Sequence, residues 1–364
     1  MSPSLFLAGL PMLAIALAAQ AAQPAPSSTQ SPAPTPAAAP AAAPATAPAS
    51  APVARGPLAE AINQQGLAAT DKTGKADRGA IKRLLVKAQV LLDRRNFAPG
   101  VIDGATGSNM RRALEAFQQA EALPVNGKLD AATWARLVAE NAAPVIRSYV
   151  IAAEDVDGPF AAPVTPGDYA AMAERPNMTW MSVTESLAER AHMDEALLIA
   201  MNPGVDFAKV GTEIVVVDTA RPVLPTVASV IVEKRRNQLR AMDAEGKVIA
   251  VYPATVGSSE RPAPTGNYTV RTVAPAPNYT FDPKRLTFKA KGGKKERLTI
   301  QPGPNNPVGS TWIDLSLDTY GIHGTPDPRM IGKTASNGCV RLTNWDAAML
   351  AKAVKAGTKV QIKS

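Results

Sequence analysis

The 364-residue chain has one cysteine, two histidines and, over its first 54 positions, no charged side chain. A lone cysteine excludes an intramolecular disulfide, and three Cys and His side chains cannot complete the four-ligand shell of a structural zinc site. No metal and no cofactor are therefore expected. Gly332-Lys333-Thr334 imitates the tail of a phosphate-binding loop, but position 327 holds Asp327 where that loop needs glycine, so no nucleotide site follows. Paired carboxylates suited to glycan cleavage are not identifiable either.

The net charge is +8, and much of it lies between Lys284 and Arg297, where seven cations stand against the single anion Glu296. Only Phe288 is interleaved with them, too little aromatic surface for base stacking, so no nucleic-acid partner is expected. Two readings stay open for this stretch: a solvated loop, or an attraction to anionic wall or membrane polymers.

Residues 1–22 contain an apolar, alanine-rich run from Leu5 to Ala22 that ends in small residues, the pattern of a secretory signal peptide, although Lys and Arg are missing ahead of it. An uncleaved membrane anchor is the alternative, whereas a lipid anchor would need a cysteine directly after the run. Residues 23–57 are rich in Pro and Ala, with nine prolines between Pro24 and Pro52, and read as an extended linker.

Beyond the linker the chain reads as multidomain. In residues 78–140, Ile81, Leu84, Leu85, Ala88, Leu91 and Leu92 recur at helical spacing, a second helix carries Leu114 and Phe117, and a third carries Trp134 and Leu137. Ala116-Phe117-Gln118, Leu123-Pro124-Val125-Asn126-Gly127 and Thr133-Trp134 resemble the small three-helix peptidoglycan-binding domain. In residues 176–218, Ser182 with Glu185 and then Asp194 open two short helices, Asn202-Pro203-Gly204 closes the second, and Gly211 to Val217 reads as a β-branched strand. That order resembles a LysM-like α+β segment, though its first strand is poorly marked. His192 reads as a surface or packing residue, and Met172, Met178, Met181, Met193 and Met201 as core filler.

Residues 228–362 read as mostly β, with strands Ser229 to Met242 and Lys247 to Thr255 around the turn Asp243-Ala244-Glu245-Gly246, and one convincing helix from Asp346 to Val354. Within it, Tyr320-Gly321-Ile322-His323-Gly324-Thr325 precedes Ser336-Asn337-Gly338-Cys339-Val340-Arg341. A free thiol is mostly protonated near neutrality, and an imidazole that takes its proton makes it nucleophilic. Gly338 permits a tight turn beside Cys339 whose N–H groups could meet a developing oxyanion, and Arg341 carries a fork suited to a carboxylate.

His-Gly-Thr followed by Ser-x-Gly-Cys-Val-Arg resembles the L,D-transpeptidase catalytic domain, the YkuD-like family. The resemblance implies Cys339 as thiol nucleophile, His323 as general base, the Gly324 carbonyl as the group orienting the imidazole, and Gly338 with Cys339 as oxyanion amides. It places Tyr320, Ser336, Asn337 and Arg341 around the substrate, with Ser336 and Arg341 equally readable as structural. The implied enzyme is a cysteine acyltransferase that remodels peptidoglycan: the thiolate attacks the third residue of a tetrapeptide stem, releases D-alanine and passes the acyl group to an amine, giving a 3-3 cross-link.

The implied partners are peptidoglycan stem peptides and glycan, in the periplasm or at the cell wall. Water as acceptor would make the same site an L,D-carboxypeptidase, and a wall-anchored lipoprotein would make it an anchoring or releasing enzyme. A catalytically inactive wall-binding scaffold is the rival from another class. In this reading the upstream modules supply wall affinity and not chemistry.

Overall fold

The computed structural model describes residues 56–70, 73–139, 143–257, 262–283, 296–334 and 338–364. The apolar run, the linker as far as residue 55, the basic stretch from 284 to 295, and Ser336 and Asn337 lie outside the described residues.

The helical module opens one element earlier than the sequence suggests. A helix α1 (Pro57–Gln64) starts at the linker boundary, with its proline at the position where a missing N–H costs nothing, and it buries Ala59 and Ile62. Then follow α2 (Arg78–Arg94), capped by the Asp77 carboxylate accepting from the Gly79 N–H, α3 (Ser108–Ala120) and α4 (Ala131–Ala139). One device sets two of the turns. Gln89 accepts from the N–H groups of Asp103 and Gly104 and donates to Asp103, and Gln118 does the same for Asn126 and Gly127. Each buried amide side chain is thereby satisfied by the loop it shapes. Leu91, Leu92, Phe117 and Leu137 fill the space between the helices.

The second unit is a two-stranded sheet carrying two helices. β1 (Ile146–Val150) pairs antiparallel with β2 (Glu213–Val217), Ile146 opposite Val217, and between them run α5 (Ala153–Val156), α6 (Tyr169–Ala173), α7 (Val183–Arg190) and α8 (Glu195–Met201). The strand β1 lies upstream of the segment that the sequence reading begins at 176, and the segment with α5 and α6 lies between it and α7.

The third unit is the β domain. Its strands are β3 (Ser229–Glu233), β4 (Gln238–Met242), β5 (Val248–Pro253), β6 (Thr255–Val256), β7 (Gly266–Pro275), β8 (Tyr279–Phe281), β9 (Leu298–Ile300), β10 (Thr311–Leu315), β11 (Gly321–His323), β12 (Val340–Arg341) and, after α9 (Asn344–Ala353), β13 (Lys359–Lys363). Nine of them form one sheet in the order β5-β4-β3-β13-β7-β10-β11-β12-β6, while β8 and β9 pair separately. The expected strand from Ser229 to Met242 is two antiparallel strands, because Asn237 turns the chain with φ 45° after a single 3-10 turn. The turn after Met242 joins β4 to β5 as expected.

The helical module covers an edge of this sheet. The Ala98 N–H donates to the Val251 carbonyl and the Val251 N–H to the Asn96 carbonyl, so β5 does not present an open row of backbone groups. A buried polar cluster fixes the same junction. Arg221, in the connection between β2 and β3, binds both oxygens of Asp93 from α2 and reaches Asp346 of α9 at 2.7 Å. His192 bonds Asp93 at 3.0 Å and stacks on Trp345 with ring centroids 4.8 Å apart. His192 is thus a buried packing residue tying three units together, and not a surface one. Among the described residues no helix is long and apolar enough to cross a membrane.

Candidate active site

Three short strands bring the motif together. Trp312 of β10 lies opposite His323 of β11, and His323 lies opposite Arg341 of the parallel strand β12, with Ile322 opposite Val340. Cys339 lies two positions before Arg341, and the Arg341 charge acts on both the Cys339 thiol and the His323 imidazole.

His323 is buried, and its Nδ1 lies 2.7 Å from the Gly324 carbonyl oxygen. A carbonyl only accepts, so this contact places the proton on Nδ1 and the lone pair on Nε2. The Trp312 ring lies nearly parallel to the imidazole, centroids 5.5 Å apart. Burial, reinforced by the Arg341 charge and opposed by the backbone at Gly324 and Val308, pushes the imidazole down to about 3. Burial likewise pushes the Cys339 thiol up, against the backbone at Gly321 and the Arg341 charge. Both shifts favour the neutral form, the imidazole unprotonated and the thiol protonated.

The thiol donates to the Thr319 carbonyl at 3.7 Å. Thr319 has φ 71°, a left-handed conformation that a β-branched residue adopts at a cost of about 1–3 kcal/mol. The strained turn between β10 and β11 therefore aims a backbone oxygen at the sulfur. Tyr320 completes that turn, and its ring packs against Gly338, where φ is +106° and an added Cβ would stand 2.9 Å from Tyr320 Cε1. Both features require glycine beside Cys339. Of the eight site residues named from sequence, Cys339, His323, Gly324, Gly338, Tyr320 and Arg341 converge here, and Ser336 and Asn337 lie outside the described residues.

Sequence reasoning missed the frame that holds the histidine loop. Asn344, the first residue of α9, accepts through Oδ1 from the N–H groups of Ser310 and Thr325. It sits so close that a Cβ on Gly324 would lie 2.0 Å from that oxygen. Its Nδ2 donates to Glu189 of α7 at 2.7 Å, and Trp180 Nε1 donates to the other oxygen of Glu189. Burial pushes the Glu189 carboxyl up to about 7, against the pull of these two donors. Thr343, the N-cap of α9, is a local signal for Asn344. No local pattern announces a partner 155 positions away.

The segment inserted before α7 also rests on the β domain. Met178 donates its N–H to the Pro302 carbonyl and accepts from the Asn305 N–H, both at 2.8 Å. Tyr169 stacks on Phe281 at 4.2 Å, and Met172 and Met178 share a small core with Ile300. Met193 and Met201 are core residues as expected, whereas Met181 is 44% exposed. Among the described residues no group of three or more His, Cys, Asp or Glu side chains could hold a metal ion.

A family model described as the YkuD L,D-transpeptidase catalytic domain matches residues 228–362, and one described as a peptidoglycan binding domain matches residues 82–137. The chain is 29% identical over 181 residues to the L,D-transpeptidase YkuD of Bacillus licheniformis, a match covering 49% of this chain and 92% of that protein. It is 33% identical over 145 residues to the L,D-transpeptidase YqjB of Bacillus subtilis, covering 38% of this chain and 73% of that one. Among solved structures, an L,D-transpeptidase from Mycobacterium smegmatis aligns with 17% identity and a TM-score of 0.31, over 43% of this chain and 65% of that chain.

Proposed function

Because this chain belongs to the L,D-transpeptidase family, we propose that Cys339 is the nucleophile of an acyl transfer between peptidoglycan stem peptides. As Sγ bonds to the carbonyl carbon of the third stem residue, the thiol proton passes to Nε2 of His323, and charge develops on the carbonyl oxygen. The backbone N–H groups of Gly338 and Cys339 meet that charge. The amide C–N bond then breaks, the imidazolium returns its proton to the departing amine of D-alanine, and a thioester on Cys339 remains. An amine of a second stem attacks the thioester, loses its proton to His323 and leaves a 3-3 cross-link with the thiol regenerated.

The observation that supports this reading is that His323 stands in register with Arg341, whose charge also acts on Cys339 two positions earlier, while the Gly324 carbonyl holds the imidazole through Nδ1. The imidazole is neutral well below neutrality, so it is free to accept a proton as the sulfur attacks. The two-stranded, two-helix unit supports the LysM-like reading with its first strand at Ile146–Val150, so that two wall-binding modules precede the catalytic domain. A wall substrate places the work in the periplasm or cell wall, after export by an N-terminal signal.

Incubating the full chain with disaccharide-tetrapeptide and weighing the products tests the proposal. Cross-linked dimer lacking one alanine is the expected product; tripeptide alone would identify water as the acceptor. Unchanged substrate, with Cys339 still open to iodoacetamide, would sink the transfer reading.

A further inference from the structure

A cleft of about 570 Å³ opens between the segment inserted before α7 and the catalytic domain. Tyr169, Met172 and Arg175 line it from the insertion, and Thr325, Arg329 and Arg341 from the catalytic domain. The walls differ in character. Met172 is buried against Met178 and Ile300, giving an apolar flank, while the other lining groups include three guanidiniums and one carboxylate, Asp327. That carboxylate is taken: Arg329 pairs with it at 3.1 Å. Among the described residues Arg175 and Arg341 have no carboxylate partner, and Nε of Arg341 is buried without a hydrogen-bond acceptor.

A buried guanidinium N–H left unpaired costs roughly 1–3 kcal/mol, and a planar fork is best satisfied by a carboxylate. Arg341 also lies in register with His323 and two residues beyond Cys339, and its charge acts on both, so an anion held on it stands near the motif.

We infer that this cleft is a carboxylate subsite built across two domains, in which Arg175 of the insertion and Arg341 of β12 hold a free carboxylate of the peptide whose carbonyl meets Cys339. The inference rests on the acyl-transfer reading above and extends it to residues outside the catalytic domain. Tyr169 and Met172 cover the aliphatic part of the bound residue, and the insertion becomes part of substrate recognition where the sequence suggested wall affinity alone. Two carboxylates of a tetrapeptide stem fit this chemistry: the one on the side chain of the third-residue diamino acid, and the terminal one on D-alanine.

The test uses the full chain carrying Cys339→Ala, so that calorimetry reads binding without turnover. Three synthetic tetrapeptides are compared: the free acid, the peptide amidated at the diamino acid side chain, and the peptide amidated at its terminus. Adding Arg175→Gln should weaken the free acid about tenfold, the change expected for one charge-assisted hydrogen bond. One amidation should cost the parent at least that factor, since it removes the partner of Arg341 as well, and that amide should bind the parent and Arg175→Gln equally; which amide does so identifies the carboxylate. Arg175→Lys should recover part of the loss, and an unchanged melting temperature excludes a folding effect. If Arg175→Gln weakens all three peptides alike or none of them, or if none binds the parent, the subsite is overturned. Failure of the transfer reading would look different: Arg175-dependent binding would persist while the chain with Cys339 intact formed no product.

Discussion

The junction around Arg221 and the site around His323 are both withdrawn from water, yet they meet the cost of burial in opposite ways. At the junction the buried charges are paired, with Asp93 and Asp346 sharing the Arg221 guanidinium. Burial would raise the Asp93 carboxyl, but Arg221 and His192 outweigh it and hold it well below the usual range, and the two carboxylates in turn raise Arg221. At the site the shifts favour neutral groups, with the imidazole low and the thiol high, and the Arg341 charge opposes protonation of the imidazole. Pairing at the junction spends electrostatics on holding three units together. Leaving the site unpaired keeps a base and an acid ready to exchange one proton when an acyl group arrives.

The sharpest way to break the comparison is to remove one member of each set. Cys339→Ala should abolish product formation altogether while moving the melting temperature little, since the hydrogen bond from the sulfur to Thr319 is long and weak. Turnover surviving in that variant, read by mass spectrometry, would reject the thiol mechanism. Arg221→Ala should do the reverse. Stripping the cation from two buried carboxylates should cost about 3–5 kcal/mol in chemical denaturation, while the fraction still folded keeps its alkylation rate at Cys339. A loss under about 1 kcal/mol would mean that the junction charges are not coupled as the geometry indicates.

How much of this was visible beforehand follows from the range of each interaction. The helical stripe ending at Leu92, the Asp-Ala-Glu-Gly turn after Met242, and the His-Gly-Thr and Gly-Cys-Val-Arg pieces are local patterns, and each appears where expected. The first strand at Ile146 was missed because its partner Val217 lies 71 positions on, beyond any hairpin signal. Glu189 was missed for the same reason: it reads as one polar position in a short helix until folding sets it against Asn344. His192 was open between surface and packing because nothing in its neighbourhood announces Asp93, 99 positions away.

A smaller effect should appear in the pH dependence of stability. His323 titrates at about 3 when folded and near 6.5 when unfolded, so as pH falls below 6.5 the unfolded chain takes up a proton that the folded one refuses. Stability present above pH 6.5 should therefore be lost on acidification, at up to about 1.4 kcal/mol per pH unit. His323→Gln should remove this contribution, and the change in slope of the urea midpoints between pH 4.5 and 6.5, relative to the parent, measures it. An identical pH profile in parent and variant would mean that the imidazole titrates normally and is not buried as described.

The smallest effect belongs to Glu189, which sits between the two regions in character as well as place: a mostly enclosed carboxylate with two donors and no counter-ion. Its folded value of about 7 lies above the unfolded one, so its sign is opposite to that of His323. The folded chain holds a proton on Glu189 that the unfolded chain has already released, and the stability it gives at low pH is lost as pH rises through 7. Between pH 4.5 and 6.5 the two groups therefore pull against each other, and the parent should show a shallow profile that conceals both. Glu189→Gln should steepen the acid-side loss, by less than the 1.4 kcal/mol per pH unit of full burial because the side chain retains some exposure, and His323→Gln should tilt the profile the other way. The double variant should be nearly flat over this interval, since sites without a shared partner add. Glu189→Gln also places an amide N–H against Trp180 or Asn344, both of which donate, so one bond of the frame behind Gly324 is lost. Iodoacetamide alkylation of Cys339 should then slow or quicken by a few-fold at most, and a tenfold or larger change would show that the module carrying α7 sets the reactivity of the site directly.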